Sequence, residues 1–342
     1  MRRIGCTFLA VWALLWCCQG LRAQGDLAFA ELGDFPLENG QVIRHCRLAY
    51  RTFGTLNAAK SNALLFPTWL AGTTRELAEL GYIGPGKVAD TSKYFVVAVE
   101  VFGNGISSSP SNSPRQHGRS FPRFSLRDVV AAQHLLLTEH LHLPRLRGVI
   151  GISLGGMVAY QWLVTYPDFL DQAVAISGSP QVTSYDRLLW QAELNAIEGS
   201  GRKKPDNAAA MRAVAAIHQL HVRTPDYVAA HTPPAAFPQF LDLVERSLLK
   251  YNAVDWAWQL KAVMDHDIYR SCGGSPAAAA GVIRARVLVV WARQDLAICP
   301  EPGLTLARCL GAETFELPGD CGHFSFLCQI EALRERVHRF LE

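Results

Sequence analysis

The stretch Val149-Ile150-Gly151-Ile152-Ser153-Leu154-Gly155-Gly156-Met157 constrains this chain more than any other. An apolar run with the character of a buried strand meets Gly-x-Ser-x-Gly, and the residues that follow (Met157, Val158, Tyr160, Gln161, Trp162, Val164) repeat with helical spacing. A serine caught between strand and helix must take a tight turn, and its neighbours must be small because the backbones crowd there. Gly151 and Gly155 meet that need. Such a turn lifts the Ser153 hydroxyl out of the packed layer. It also places the Leu154 amide at the positive end of the new helix, where a developing oxyanion is stabilised. The pentapeptide alone does not separate this from a glycine-rich turn with a bystander serine, so the rest of the chain must decide.

The surrounding pattern is α/β. Gln41 to Thr55 alternates well enough for one or two strands at an antiparallel sheet edge, and Ala63-Leu64-Leu65-Phe66 reads as a short buried strand closed by Pro67. The loop after it, Thr68-Trp69-Leu70-Ala71-Gly72, leaves the end of a central strand, where open α/β sheets build their sites. Leu70 is therefore the candidate for a second oxyanion amide. Tyr94 to Val99 is continuous apolar sequence, as in a parallel strand covered on both faces. A long polar loop follows, Gly103 to Arg123, of the kind that serves a site or is disordered. Leu126 to Leu143 predicts an amphipathic helix, Leu154 to Tyr166 the helix after the serine, and Gln172 to Ile176 the next strand.

The rhythm then breaks. Residues 180 to 280 carry helical patterns (Tyr185 to Ile197, Asn207 to Leu220, Phe237 to Lys250, Ala253 to Met264) and no convincing strand, as expected of a helical cap inserted over the active end of a sheet. Trp190, Trp256 and Trp258 lie there at spacings typical of core positions. Asp265-His266-Asp267 suggests metal ligands only at first sight, since helical neighbours point in different directions and suit solvent or capping roles. No metal and no cofactor is expected. Strands resume at Val287 to Trp291 and Glu313 to Leu317, with a helix from Pro300 to Leu310 between them.

Asp295 follows the first of these strands, and His323 follows the last within Gly319-Asp320-Cys321-Gly322-His323. Histidine has the intrinsic pKa to take a hydroxyl proton near neutrality, and a carboxylate fixes its tautomer and stabilises the imidazolium. Ser153, Asp295 and His323 thus form a candidate catalytic set at three strand ends. Asp320 and Asp171 compete for the acid role, but neither directly follows a strand.

The N-terminus reads as a leader: Arg2 and Arg3, an apolar run from Ile4 to Cys18, and Ala23-Gln24-Gly25 fitting a small-x-small cleavage site. The expected division is a signal peptide over 1–25, a first core part over 26–179, the cap over 180–280 and a second core part over 281–342. The leader holds Arg2, Arg3 and Arg22 and no acid, so the mature chain balances thirty basic against thirty acidic residues. Nothing in that balance attracts nucleic acid, and no later stretch is apolar enough to span a bilayer. A secreted or periplasmic protein without stable membrane insertion is expected; its oligomeric state, a homodimer included, is left open. Six cysteines remain (Cys46, Cys272, Cys299, Cys309, Cys321, Cys328), allowing up to three disulfides in 15 connectivities that sequence does not rank.

Further segments carry a resemblance: Tyr50-Arg-Thr-Phe-Gly-Thr-Leu-Asn-Ala-Ala-Lys-Ser-Asn62, Gly103-Asn-Gly-Ile-Ser-Ser-Ser109, Phe121-Pro-x-Phe-Ser-Leu-Arg-Asp128, Gly151-x-Ser-x-Gly-Gly-Met157, Tyr166-Pro-Asp168 and Gly322-His323. Together they resemble the homoserine O-acetyltransferase family of α/β-hydrolase-fold proteins. The resemblance implies a mostly parallel central sheet with helices on both faces and a helical cap. It also implies a ping-pong acyl-enzyme mechanism with Ser153 as nucleophile, His323 as base, Asp295 as its partner and Leu70 in the oxyanion loop. Two departures bear on substrate. Homoserine-binding members carry an aspartate directly after the catalytic histidine, where this chain has Phe324, and an arginine in a cap segment whose best match here puts Leu194 in its place. An amino-acid acceptor brings an ammonium and a carboxylate, each costly to bury without a partner. With export away from intracellular acyl donors, the expectation is hydrolysis of a carboxylic ester in a pocket that includes Trp69, Trp190 and Phe324. The alternatives are an O-acyltransferase with another acceptor and a non-catalytic binding protein on the same fold.

Overall fold

A computed structural model describes residues 22–201 and 206–342. The leader expected over 1–25 lies almost wholly outside the described residues, and Arg22–Gln24 (β1) pairs with the sheet.

The chain continues through β2 (Ala28–Pro36), β3 (Val42–Thr55), β4 (Ala63–Pro67), helix α1 (Thr74–Glu79), a small two-stranded ribbon of β5 (Ile83–Gly84) and β6 (Ala89–Asp90), and β7 (Phe95–Val99). Then come α2 (Leu126–Leu135), β8 (Leu146–Ile152), α3 (Leu154–Thr165) and β9 (Leu170–Ile176). The main sheet has nine strands in the order β1-β3-β7-β4-β8-β9-β10-β11, with β2 paired to β3 and the last two strands being β10 (Arg286–Ala292) and β11 (Glu313–Leu317). β1, β2 and β3 are antiparallel additions; from β7 to β11 every pairing is parallel. All carboxyl ends of the parallel strands therefore open on one edge.

The parallel strands read as unbroken apolar runs because both faces are covered. Leu65, Val97 and Val149 belong to one buried cluster with Val129 and Val130 of α2 and Val158 and Trp162 of α3. Their neighbours Leu64, Val96 and Ile150 belong to the other, with Leu333, Val337 and Phe340 of the C-terminal helix. Alternate residues of one strand thus feed two cores.

Between β9 and β10 the described residues hold no strand, only an isolated bridge from Gln181 to Asp267. Helices α4 (Ser184–Gly199), α5 (Asn207–Val222), α6 (Pro225–His231), α7 (Phe237–Leu249) and α8 (Ala253–Met264) occupy this insertion, and α9 (Pro276–Val282) returns to pack on α3 and on α10 (Glu301–Leu310). Trp256 and Trp258 are buried in the core, as their spacing suggested. Asp267 caps the 3-10 turn Ile268–Ser271 and Asp265 ends α8, so both serve local structure.

The long polar loop, for which a site-serving role and disorder both stood open, forms a strap. Its Ser111 donates through backbone and hydroxyl to Asp255 of α8 at 2.8 and 2.5 Å, and Trp258 Nε1 donates to Phe121 O at 3.0 Å. The loop ties the cap to the sheet. The predicted helix from Leu126 to Leu143 begins as α2 and widens into a π turn over Leu136–His140.

Candidate active site

β8 delivers Ser153 into a backbone conformation with φ 57° and ψ −119°, uncommon for any residue with a side chain. Surrounding contacts enforce it. Ser153 N donates to Ile176 O of β9 at 2.8 Å, and Met157 N closes the first turn of α3 on Ser153 O at 3.0 Å. A Cβ at Gly151 would fall inside the Gly155 carbonyl and 2.7 Å from Gly156 N, while one at Gly155 would stand 2.6 Å from Pro67 O. Strand, turn and helix approach so closely that only hydrogen fits, and strain of about 1–3 kcal/mol at the serine is held by the packing.

Asp295 and His323 arrive from the neighbouring strand ends after β10 and β11. Asp295 Oδ1 accepts from the amides of Ala297 and Ile298, both at 3.0 Å, which turns Oδ2 toward His323 Nδ1 at 2.8 Å. His323 Nε2 lies 3.0 Å from Ser153 Oγ. With Nδ1–H donated to the carboxylate, Nε2 presents a lone pair to the serine hydroxyl. Asp295 and His323 are buried (6% and 4% exposed), so little water competes for these bonds. The competing acids are elsewhere: Asp171 pairs with Arg145, and Asp320 is exposed with only its carbonyl engaged, by Thr224.

The His323 turn is clamped from two sides. A disulfide joins Cys321 to Cys328 across it, and Cys46, Cys272, Cys299 and Cys309 are unpaired. Arg223, at the end of α5, donates to both sulfurs at 3.1 Å and lies over the Phe324 ring at 5.0 Å. Closing so short a loop stabilises by about 2 kcal/mol in the chain-entropy model. Replacing both Cys321 and Cys328 by serine should lower stability by that amount in a urea melt and reduce turnover as the His323 turn loosens. A melt indistinguishable from the wild type's would show that the bridge constrains nothing.

Leu154 is the first residue of α3, whose amide has no partner within the helix, and Leu70 lines the same cavity. The Leu70 loop is held by a residue the sequence reading did not single out. Gln259 of α8, fully buried, accepts from Ala71 N at 2.6 Å and donates to Phe102 O at 2.9 Å, fixing Ala71 at φ 53°. Gln259→Leu preserves bulk but strands both backbone groups. We expect a loss of about 2–4 kcal/mol in stability and a fall in kcat of roughly tenfold or more with little change in KM, measured by thermal melt and ester kinetics. An unchanged kcat would mean that the loop holds itself.

The cavity in front of Ser153 has a volume of about 240 Å³. Trp69, Trp190 and Phe324 line it, with Met157, Val263, Ile298 and Phe326. Trp69 stacks edge-on against Tyr82 (5.9 Å), and Phe326 meets the His323 ring edge-on at 5.5 Å. No lysine or arginine lines the cavity among the described residues; Leu194 is buried and Arg223 faces Tyr227, Phe324 and the sulfurs. Its polar lining consists of Ser153, His323, Glu76, which pairs with Lys250, and a pair of cap histidines, His218 and His221. These two converge on Glu193, with the three donor atoms within 4.8 Å of one another, a set that could hold a metal ion. The Glu193 carboxylate takes its partners from within the cap: a ring nitrogen of each histidine lies 3.0 Å from it, and Trp256 Nε1 donates to it at 2.8 Å. Burial opposes ionisation of Glu193, but the two imidazoles outweigh it and draw its pKa down; burial likewise holds His221 neutral.

Comparison with known proteins agrees with this geometry. The family model described as alpha/beta hydrolase fold matches residues 80–328. An ethyl acetate hydrolase of Pseudomonas veronii is 34% identical over 78% of this chain and 80% of its own length. A homoserine O-acetyltransferase of Symbiobacterium thermophilum is 31% identical over 90% and 91%. The crystal structure of an acetylester hydrolase from Corynebacterium glutamicum superposes with a TM-score of 0.86 at 26% identity, covering 92% of this chain and 96% of that one. A strand-turn-helix serine, two partners on later strand ends, a capped parallel sheet and these relatives lead to one assignment: the chain belongs to the alpha/beta hydrolase fold family, within the group that joins acetyl esterases to homoserine O-acetyltransferases.

Proposed function

We propose that this enzyme hydrolyses small, uncharged carboxylic esters through an acyl-Ser153 intermediate. His323 Nε2 takes the Ser153 proton as Oγ attacks the carbonyl carbon. The Leu154 and Leu70 amides receive the oxyanion. As the tetrahedral intermediate collapses, His323 returns the proton to the departing alkoxide, and Asp295 stabilises the imidazolium between these steps. Water then repeats the sequence on the acyl-enzyme and releases the acid.

The carrying observation is the hydrogen-bonded chain from Ser153 through His323 to Asp295 beside a cavity without a cation. At about 240 Å³ the cavity is below the roughly 300–1,000 Å³ of sites for drug-sized ligands, which supports short acyl and alcohol groups. An amino-acid acceptor finds no cation for its carboxylate, which supports water over homoserine. The relatives named as esterases point the same way.

Export is part of the proposal. It is supported by the leader pattern of Arg2, Arg3 and the apolar run from Ile4 to Cys18, and by a disulfide of the kind that persists in oxidising compartments. No helix among the described residues is long and apolar enough to cross a membrane.

The test is turnover of short nitrophenyl esters in plain buffer, alongside labelling by a fluorophosphonate. Turnover without an added acceptor supports the hydrolase. Turnover only with an added alcohol or thiol assigns an acyltransferase instead, and folded wild-type protein that neither labels nor turns over would leave a binding protein.

A further inference from the structure

The cap histidines are more than packing. His218 and His221 sit three residues apart on α5, on one face, and both rings line the cavity that holds Ser153 and His323. Glu193 Oε1 lies 3.0 Å from His218 Nδ1 and 3.0 Å from His221 Nε2, and Glu193 Oε2 accepts from Trp256 Nε1 at 2.8 Å. A fully buried carboxylate served by three N–H donors fixes both tautomers. In the neutral rings the opposite nitrogens, His218 Nε2 and His221 Nδ1, are acceptors. His221 Nδ1 is buried without any partner, a rare condition in a folded interior. His218 is a fifth exposed.

The cluster stands on one side of the reaction. α5 packs on the turn Gly322–Phe324, and the His323 imidazole is near enough to oppose a charge on His221. In an acyl transfer the group beside the base is the leaving alkoxide, which must collect its proton from His323.

We propose that His218, its ring oriented by Glu193, supplies the hydrogen-bond acceptor of a subsite for the alcohol half of the ester, and that the preferred substrates are monoesters of diols or polyols, carrying a free hydroxyl there. The inference rests on the hydrolase reading above. An ammonium finds no free oxygen on Glu193, whose carboxylate is already engaged. A second carboxylate meets lone pairs. A hydroxyl supplies the donor that His218 Nε2 lacks, and a site built to bond a hydroxyl discriminates strongly against the analogue without it.

Matched acetates test this, because a terminal hydroxyl and a methyl have nearly the same volume: 2-hydroxyethyl against propyl acetate, and 3-hydroxypropyl against butyl acetate. Wild-type enzyme should favour the hydroxy ester in at least one pair by about tenfold or more in kcat/KM. His218→Phe should erase that preference, bringing kcat/KM for each hydroxy ester down to that of its alkyl partner. His218→Gln, which can donate to Glu193 and still present a carbonyl, should retain part of it. Melting curves establish that each variant is folded, and the glutamine variant carries the test if the phenylalanine one is not. Three results would overturn the proposal: equal rates on both members of both wild-type pairs, a His218→Phe loss common to hydroxy and alkyl esters, or a preference abolished by exhaustive chelation, which would assign the cluster to a metal. If the wild type hydrolyses none of the four esters and takes no fluorophosphonate, the hydrolase reading itself has failed, which is distinct from a labelled enzyme that merely lacks the preference.

Discussion

Replacing Ser153 by alanine removes ester turnover, lowering kcat by about 10⁴-fold or more, while the protein still folds. The magnitude follows from the site. Without Oγ no acyl-enzyme forms, and what remains is the weak acceleration of water by the Leu154 and Leu70 amides and by binding. The fold survives because the serine hydroxyl supports nothing else in the turn: its one side-chain partner is His323, and the backbone bonds to Ile176 and Met157 do not involve it. Alanine tolerates φ 57° about as poorly as serine, so the melt should shift by less than about 1 kcal/mol. A variant that melts like wild type and loses only a fewfold in kcat would place the nucleophile elsewhere. Asp295→Asn should follow at a smaller but still large loss, because the amide can reverse the bond to Nδ1 and turn the imidazole lone pair away from Ser153.

The second large effect is structural. Gly151→Ala puts a methyl group into the Gly155 carbonyl and against Gly156 N, and all of these atoms are backbone of the first turn of α3, unable to rotate aside. Either the turn opens or the strand retreats from the helix. We expect about 3 kcal/mol or more of destabilisation and, in whatever folds, a further loss of at least about 10²-fold in kcat, since a displacement of 1 Å at the reacting group costs that much. Gly281→Ala in α9 is the control, because nothing lies within 4 Å of its added Cβ, and it should be neutral or gain up to about 1 kcal/mol from helix propensity. Equal melts for the two variants would mean that the crowding at the elbow is not real.

What could be read from the sequence was whatever a local pattern encodes. Continuous apolar runs marked β4, β7, β8, β9 and β10, since a strand covered on both faces has no reason to alternate. Punctuation by Gly and Pro set their ends, and position after a strand singled out Asp295 over Asp171 and Asp320. Strand β2 left no such trace: its pairing with β3 slips on either side of Gly33, and Glu31, Gly33 and Asp34 interrupt the alternation. Helix α6 is short, with none of its residues buried, so no apolar stripe announces it.

The site divides in the same way. Ser153, Asp295 and His323 each carry a local signature, whereas the residues that hold or surround them do not. Gln259 reaches Ala71 across 188 residues, and Glu193 meets His218 and His221 across 25 and 28. Helical periodicity says which face of α4, α5 or α8 is covered, not which helix covers it. The spacing of His218 and His221 was a legible hint, and the buried acid opposite them was not. The pairing of Cys321 with Cys328, like the approach of Arg223 to Phe324, follows from how the cap seats on the His323 turn, which no single segment encodes.

The central claim is that one hydroxyl does the chemistry because distant residues converge on it. Its most direct test is peptide mapping by mass spectrometry after stoichiometric fluorophosphonate inactivation of the folded wild-type enzyme. One adduct per chain, on the peptide bearing Ser153, formed in step with the loss of ester turnover and absent from His323→Ala, is the result expected here. An adduct on a different residue, or full inactivation with Ser153 unmodified, would contradict the account.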